Sequence, residues 1–355
     1  MRHTLAVPAL PVEMSDLSPE WLSDALGTTV TGAEVLDRAV ATNQRLRIGL
    51  EYAQGAGGPA SLFVKLLPLD PAHRQMIGAS GMGAREAQFY ADVAPGVELR
   101  VPRAYWAAAA DDGTFALLLE DLAAAGCSFS DGSWGVASDA AARALEDLAR
   151  FHGRFHDPAA RQAVAPWLAV PPARRSGATA LLLRKVLDEH ADVLTPAYID
   201  AGELYVAHHD RIDELWHAGP QTYIHGDPHI GNVFLDGGRV GFLDWGLSRV
   251  STPLRDVSYF LTMTVEPADR RRDERDLIRL YLGALRASGG PEIAFDDAWS
   301  VHRVQAGYTV VATFLAFMPT YATGDGQGLG AALRRRSEFA LDDLDAVDAM
   351  RAAVG

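Results

Sequence analysis

The sequence predicts an α+β fold of two lobes, a small N-terminal antiparallel-sheet lobe and a larger, mainly helical C-terminal lobe. Three observations carry this. β-rich runs crowd residues 30–120, and long helical periodicities dominate after Asp121. A short polar, glycine-rich insert with strand character, Thr222 to Leu247, interrupts those helices. The expected lobes are 1–120 and 121–355, and a 355-residue chain suits two domains.

The elements follow in order. Ser18-Pro19-Glu20 reads as a helix N-cap with proline at the first helical position, and Gly27 as the stop. The runs VTGAEVLDRAVAT, RLRIGLEYAQ and ASLFVKLL come next, separated by Asn43-Gln44 and by Gly55 to Pro59, which predicts an antiparallel meander. Asp70-Pro71 caps a helix carrying Arg85, Glu86 and Tyr90. Arg103 to Ala109 and Thr114 to Glu120 read as two strands around the Asp111-Asp112-Gly113 turn. Residues 30–120 are therefore expected to form a five-stranded sheet with one inserted helix. Beyond Asp121, helices are expected over about 138–156, 176–191, 195–217, 268–288, 294–318 and 326–352.

Composition excludes several function classes. Hydrophobic residues make up 48% and charged residues 22%, the balance of an ordinary globular protein. A net charge of −14 lacks the basic footprint of a nucleic-acid binder and opposes anionic lipid surfaces. The single cysteine, Cys127, cannot close an internal disulfide, and paired-cysteine zinc sites are excluded. No apolar run approaches the ~20 residues that span a membrane. The longest, Tyr308 to Pro319, carries two threonines, and the start MRHTLAVPALPVEM lacks the cleavage site of a signal peptide. A cytoplasmic protein is expected. Of 32 basic residues only Lys65 and Lys185 are lysines, so a lysine hints at a site that wants a compact ammonium. For Lys185, in LLLRKVLDEH, chance suffices.

The insert carries the chemistry. A β-like Tyr223-Ile224 feeds a loop containing His225, Asp227, His229 and Asn232. A hairpin turning at Asp236-Gly237-Gly238 follows, and its apolar run Val240 to Leu243 delivers Asp244. A hairpin brings its ends together, so Asn232 and Asp244 can converge. An amide oxygen beside a carboxylate is a hard-oxygen site suited to Mg²⁺, and Asp227 could reach a substrate hydroxyl beside it.

HGDxxxxN followed by an apolar strand and Asp244-Trp245 resembles the signature of the aminoglycoside phosphotransferase and choline kinase-like family, small-molecule kinases with the protein kinase-like fold. The resemblance runs from about Val35 to beyond Asp256. It implies a bilobal kinase-like fold with a nucleotide-binding N-terminal lobe. It also implies ATP, or GTP, with Mg²⁺ as cofactors and in-line transfer of the γ-phosphate to a small-molecule hydroxyl. Asp227 matches the catalytic aspartate, and Asn232 and Asp244 match the two metal ligands. Lys65, ending an apolar strand, stands where these kinases keep the lysine that grips the α/β-phosphates, with Glu86 as its ion-pair partner. A strand-end lysine extended into solvent is the plain alternative. Glu120 and Leu122 fall at the hinge that offers backbone groups to adenine, and Asp256 matches an aspartate that braces the catalytic loop. No Gly-x-Gly-x-x-Gly loop joins the first two strands, so backbone amides and small polar side chains such as Thr42 and Asn43 are expected to cover the triphosphate. His229 either contacts the transferring phosphate or the substrate, or hydrogen-bonds within its loop.

Other signals carry less. His152 and His156 have zinc-like i, i+4 spacing but lack the glutamate and a third ligand, so a helix end is expected. Gly324 to Gly330 follows a helix and reads as a loop, Arg334-Arg335-Arg336 as a solvated helix face, and Cys127 as unreactive. A pseudokinase would have lost one of Asp227, Asn232, Asp244 or Lys65, and a two-metal phosphoesterase needs more histidines. For the acceptor, the helix at 294–318 presents His302, Gln305, Thr309 and Thr313 among Trp299, Tyr308, Phe314 and Phe317. Only Asp296 and Asp297 are acidic there. That favours an uncharged or amphipathic acceptor over a polycationic aminoglycoside, unless the helix is core. No nucleic-acid or membrane partner is expected, and the oligomeric state is open.

Overall fold

Ser18 accepts a hydrogen bond from the Trp21 amide, Pro19 opens the first turn, and Gly27 closes it at φ 66°, which gives α1 (Pro19–Leu26). The strands follow as β1 (Val30–Val40), β2 (Gln44–Tyr52) and β3 (Ser61–Leu66), an antiparallel meander. Then come α2 (Pro71–Ser80), α3 (Met82–Gln88), β4 (Ala104–Ala109) and β5 (Phe115–Glu120), and the sheet order is β1-β2-β3-β5-β4. The computed structural model describes residues 10–40, 43–168, 177–317 and 328–355.

Two compact units divide the chain. One comprises residues up to Cys127 together with Leu243–Leu247, and the other Ser128–Phe242 together with Ser248–Gly355. In the first, β-strand alternation decides what faces the core. Leu62, Val64 and Leu66 of β3 are fully buried with Leu46, Ile48, Ala116 and Leu118, under Leu17 and Leu22. Each such aliphatic side chain stabilises the unit by about 1.5–3 kcal/mol relative to exposure. Lys65 therefore belongs to the opposite face, opposite Arg45 on β2 and Leu117 on β5.

The second unit contains α4 (Ser138–Arg154), α5 (Pro158–Val164), α6 (Ala178–His190) and α7 (Pro196–His217). The insert forms β6 (Thr222–Ile224), the hairpin β7 (Val233–Asp236) and β8 (Arg239–Phe242), and β9 (Arg249–Ser251), which pairs antiparallel with β6. Gly237 and Gly238 turn the hairpin at φ 54° and 85°, the left-handed pair that a two-residue turn requires. The rest is α8 (Pro253–Met263), α9 (Pro267–Ala287), α10 (Phe295–Ala306), α11 (Tyr308–Thr313), α12 (Leu329–Asp343) and α13 (Ala346–Val354). Tyr198, Tyr205, Trp216, Tyr259, Tyr308 and Leu341 lie in its core.

Several expected helices are differently divided. The helix after Asp70 stops at Ser80, because Gly81 turns left-handed at φ 66°, and a new helix carries Arg85 and Glu86. Tyr90 follows in a π-helical turn, Phe89–Val93. The 294–318 helix breaks at Gly307, where a Cβ would strike Met350, and the last one breaks at Asp345, which has φ 43°. Helix α8 was not expected. All of its residues are buried, so it lacks the one-sided periodicity by which a helix is read.

Helix α3 lies so close to the sheet that a Cβ on Gly83 would run into the fully buried Phe115 ring. We expect Gly83→Ala to destabilise the protein by about 1–3 kcal/mol in urea unfolding, because overpacking outweighs the helix propensity of alanine. A gain in stability would mean that Phe115 moves aside without cost.

Candidate active site

In the first unit three expected residues meet. The Lys65 ammonium is buried, with Nζ 2.5 Å from Glu86 Oε2 and 3.2 Å from Asp244 Oδ1. Strand β3 supplies the lysine and α3 the glutamate. Burial opposes the Lys65 ammonium, but Asp244 and Glu86 outweigh it and raise its pKa. Burial, with the charge of Asp244 added and that of Lys65 opposing, pushes Glu86 up to about 7. One ammonium thus faces two carboxylates. Asp244 is the more exposed of them, its side chain 31% accessible.

Helix α3 also fixes the segment around Asp244. Arg85 Nε donates to the Gly246 carbonyl at 2.9 Å, and Phe89 stacks on Trp245 with ring centroids 3.8 Å apart. Asp244 itself adopts φ 62°, a left-handed conformation that aspartate tolerates better than most residues. That turn directs its carboxylate to Lys65.

In the second unit the loop before β7 gathers Asp227, His229 and Asn232. Asn232 Nδ2 donates to Asp227 Oδ2 at 2.9 Å and to the Asp227 carbonyl at 3.0 Å. A carboxylate only accepts, so the amide nitrogen must face it and the Asn232 amide oxygen is left as a donor for a cation. His229 Nδ1 accepts from the Gly231 amide at 3.0 Å, which places the ring proton on Nε2, 3.5 Å from Asp227. Of the two roles expected for His229, the geometry matches bonding within the loop. Buried Tyr259 hydrogen-bonds the Asp227 side chain, and burial, then the charge of Asp227, hold that phenol well above its ordinary pKa.

The loop hangs on Asp256 at the start of α8. Its fully buried carboxylate accepts from the amides of His225 at 2.6 Å and Gly226 at 2.8 Å, with His152 Nε2 at 3.3 Å. Burial works against this carboxylate, but the hydrogen bond and charge of His152, then His225 and the Gly226 amide, hold its pKa below the ordinary value. His152 Nδ1 meets Tyr281, and His156 Nδ1 meets the Gln221 carbonyl. The histidine pair is therefore part of the scaffold. Among the described residues no group of three or more His, Cys, Asp or Glu is placed to share a metal.

Other expected residues stand as follows. Glu120 is held by Arg100 in two contacts of 2.9 Å, and its amide donates to Arg103. Leu122 is buried and its carbonyl accepts from Cys127. Those groups are engaged inside the unit. Thr42 lies outside the described residues, as does most of Gly324 to Gly330, and Asn43 is buried. The polar face of α10 and α11 is core and gives no acceptor pocket. His302 bonds Ser258, Gln305 bonds the Trp216 carbonyl, and Thr309 and Thr313 bond Ser337 and Tyr198. The inferred preference for an uncharged acceptor thereby loses its basis. Arg336, expected to be solvated, is buried and donates to the Val265 carbonyl.

The model of the phosphotransferase enzyme family matches residues 50–294. The chain belongs to that family. Its class is thus small-molecule phosphotransferase. Solved structures with the same kinase-like fold include a Ralstonia eutropha protein assigned as an aminoglycoside phosphotransferase (14% identity, TM-score 0.53, covering 92% of this chain and 97% of that one). Choline kinase LicA from Streptococcus pneumoniae (13%, 0.50, 94% and 99%) is another. So is the GDP and kanamycin complex of the phosphotransferase APH(2")-IIIa (12%, 0.50, 91% and 94%). Comparison with curated proteins gave no match. In this phosphotransferase, sequence reasoning missed His152 as the partner of Asp256, Tyr259 as a partner of Asp227, and Arg45 beside Asp244. Only the register opposite Lys65 would have drawn attention to Arg45.

Asp256 gives a pH-dependent prediction. Its folded pKa lies below the unfolded value, so its stabilisation is present above about pH 4 and lost as pH falls through the folded pKa. We expect Asp256→Asn to cost about 2–5 kcal/mol at pH 7, since two buried amides lose a charged acceptor. The difference from wild type should shrink as urea unfolding is repeated toward pH 3. A constant difference would show that the charge contributes nothing.

Proposed function

We propose that this phosphotransferase is a Mg²⁺-dependent kinase that transfers the γ-phosphate of ATP or GTP to a hydroxyl of a small molecule. The observation that carries this reading is the buried Lys65 ammonium shared by Glu86 and Asp244. As a device for stability it is poor, because a buried charge is costly. As a cradle for a cation and polyphosphate it is balanced: Asp244 can turn to a metal while Lys65, still held by Glu86, faces phosphate oxygens. The Asp244 carboxylate and, in the other unit, the Asn232 amide oxygen are each hard-oxygen donors of the kind that Mg²⁺ takes, and Mg²⁺ needs few protein ligands. When bound, the metal would neutralise phosphate charge.

The chain's own residues do the rest. Asp227, oriented by Asn232 and Tyr259, would accept the proton of the acceptor hydroxyl, and Asp256 would keep its loop still. Positioning and charge neutralisation are most of what phosphoryl transfer asks of a protein. The neighbour crystallised with GDP supports a purine nucleotide as donor.

Asp227→Asn tests the reading. We expect transfer to fall roughly 10²–10⁴-fold while calorimetric nucleotide affinity stays near wild type. The assay is nucleoside diphosphate release against a panel of aminoglycosides, choline-like amines, sugars, macrolides and hydroxyacyl thioesters. Wild-type turnover by the variant on an accepted substrate would remove Asp227 from the chemistry.

A further inference from the structure

Arg45 stands directly opposite Lys65 in the β2–β3 pair. Side chains so paired lie on one face with Cβ atoms about 4.5–5.5 Å apart, and like charges there destabilise a sheet. Both cations address one carboxylate: Lys65 Nζ is 3.2 Å from Asp244 Oδ1 and Arg45 Nη2 is 3.9 Å from Oδ2. Their accessibility differs, at 5% for the Lys65 side chain and 39% for Arg45. Arg47, two residues along β2, is spent on Asp121 through three contacts of 3.0–3.1 Å. Among the described residues Arg45 makes one long ion pair, to Asp244.

We propose that Arg45 is a second phosphate-binding cation, which acts beside Lys65 on the polyphosphate of the donor nucleotide. The inference rests on the kinase reading above. Lys65, Arg45, Glu86 and Asp244 carry two positive and two negative charges, a balanced set without ligand. A divalent cation taken up by Asp244 leaves two positive charges in excess, which polyphosphate oxygens neutralise. Without Arg45 that excess halves. The first hairpin has no triple-glycine loop, which leaves room for side chains to meet phosphate charge there. A planar guanidinium suits this, since it can reach two phosphate oxygens at once.

The test is calorimetric titration of wild type, Arg45→Gln and Arg45→Lys with ATP and with adenosine, in Mg²⁺. Adenosine lacks the groups that Arg45 would contact. We expect Arg45→Gln to weaken ATP about tenfold, as loss of a charge-assisted contact would, and to leave adenosine unchanged. Arg45→Lys, which keeps the charge but loses the two-pronged fork, should fall between wild type and Arg45→Gln for ATP. An unchanged ratio of ATP to adenosine affinity in Arg45→Gln overturns the inference, as does equal loss for both ligands. If wild type binds neither, the kinase reading itself falls and takes this inference with it. A wild type that binds ATP beside an unaffected Arg45→Gln overturns the inference alone.

Discussion

Burying one ammonium among two carboxylates constrains the N-terminal unit more than any other contact. Lys65 must leave β3 on the face away from the aliphatic core, and α3 must bring Glu86 within reach. Helix α3 can come so close only because Gly83 has no side chain to meet Phe115. The same helix then holds the Asp244 segment by Arg85 on Gly246 and Phe89 on Trp245. The break at Gly81 follows from this, because one straight helix from Asp70 would carry Glu86 in a direction set by α2. An ion pair with this much supporting structure is costly to maintain, and the proposed kinase chemistry would give it a purpose.

The C-terminal unit solves a different problem, that of holding a short polar loop still. The backbone amides of His225 and Gly226 follow the end of β6, and Asp256 accepts both. His152 and Tyr281 then stabilise the charge that this requires. With its backbone fixed, the loop can spend side chains on Asp227, whose carboxylate meets an amide, a phenol and an imidazole. The hierarchy runs from one buried carboxylate, to a fixed turn, to an oriented Asp227 carboxylate.

Much of this was legible in the sequence because it is local. The five strands, the Ser18 cap and the hairpin at Gly237-Gly238 each depend on neighbouring residues, and the spacing of Asp227, Asn232 and Asp244 marked the family. What escaped depends on contacts distant in sequence. His152 and Asp256 are 104 residues apart, and no spacing rule joins them. Helix α8 is buried on every side and so shows no stripe. The polar face at His302, Gln305, Thr309 and Thr313 suggested a pocket, because periodicity cannot tell a polar group bonded inside a core from one facing a ligand.

The chain's two lysines make the central interaction directly measurable. Labelling lysine Nζ with nitrogen-15 gives one signal from buried Lys65 and one from exposed Lys185. We expect the Lys65 signal to titrate above the ordinary lysine value of about 10.4, because two carboxylates hold its proton. We also expect it to shift when ATP and Mg²⁺ are added, with the Lys185 signal unmoved. A Lys65 midpoint below the ordinary value, or a Lys65 signal indifferent to nucleotide, would contradict the arrangement on which the proposed chemistry stands.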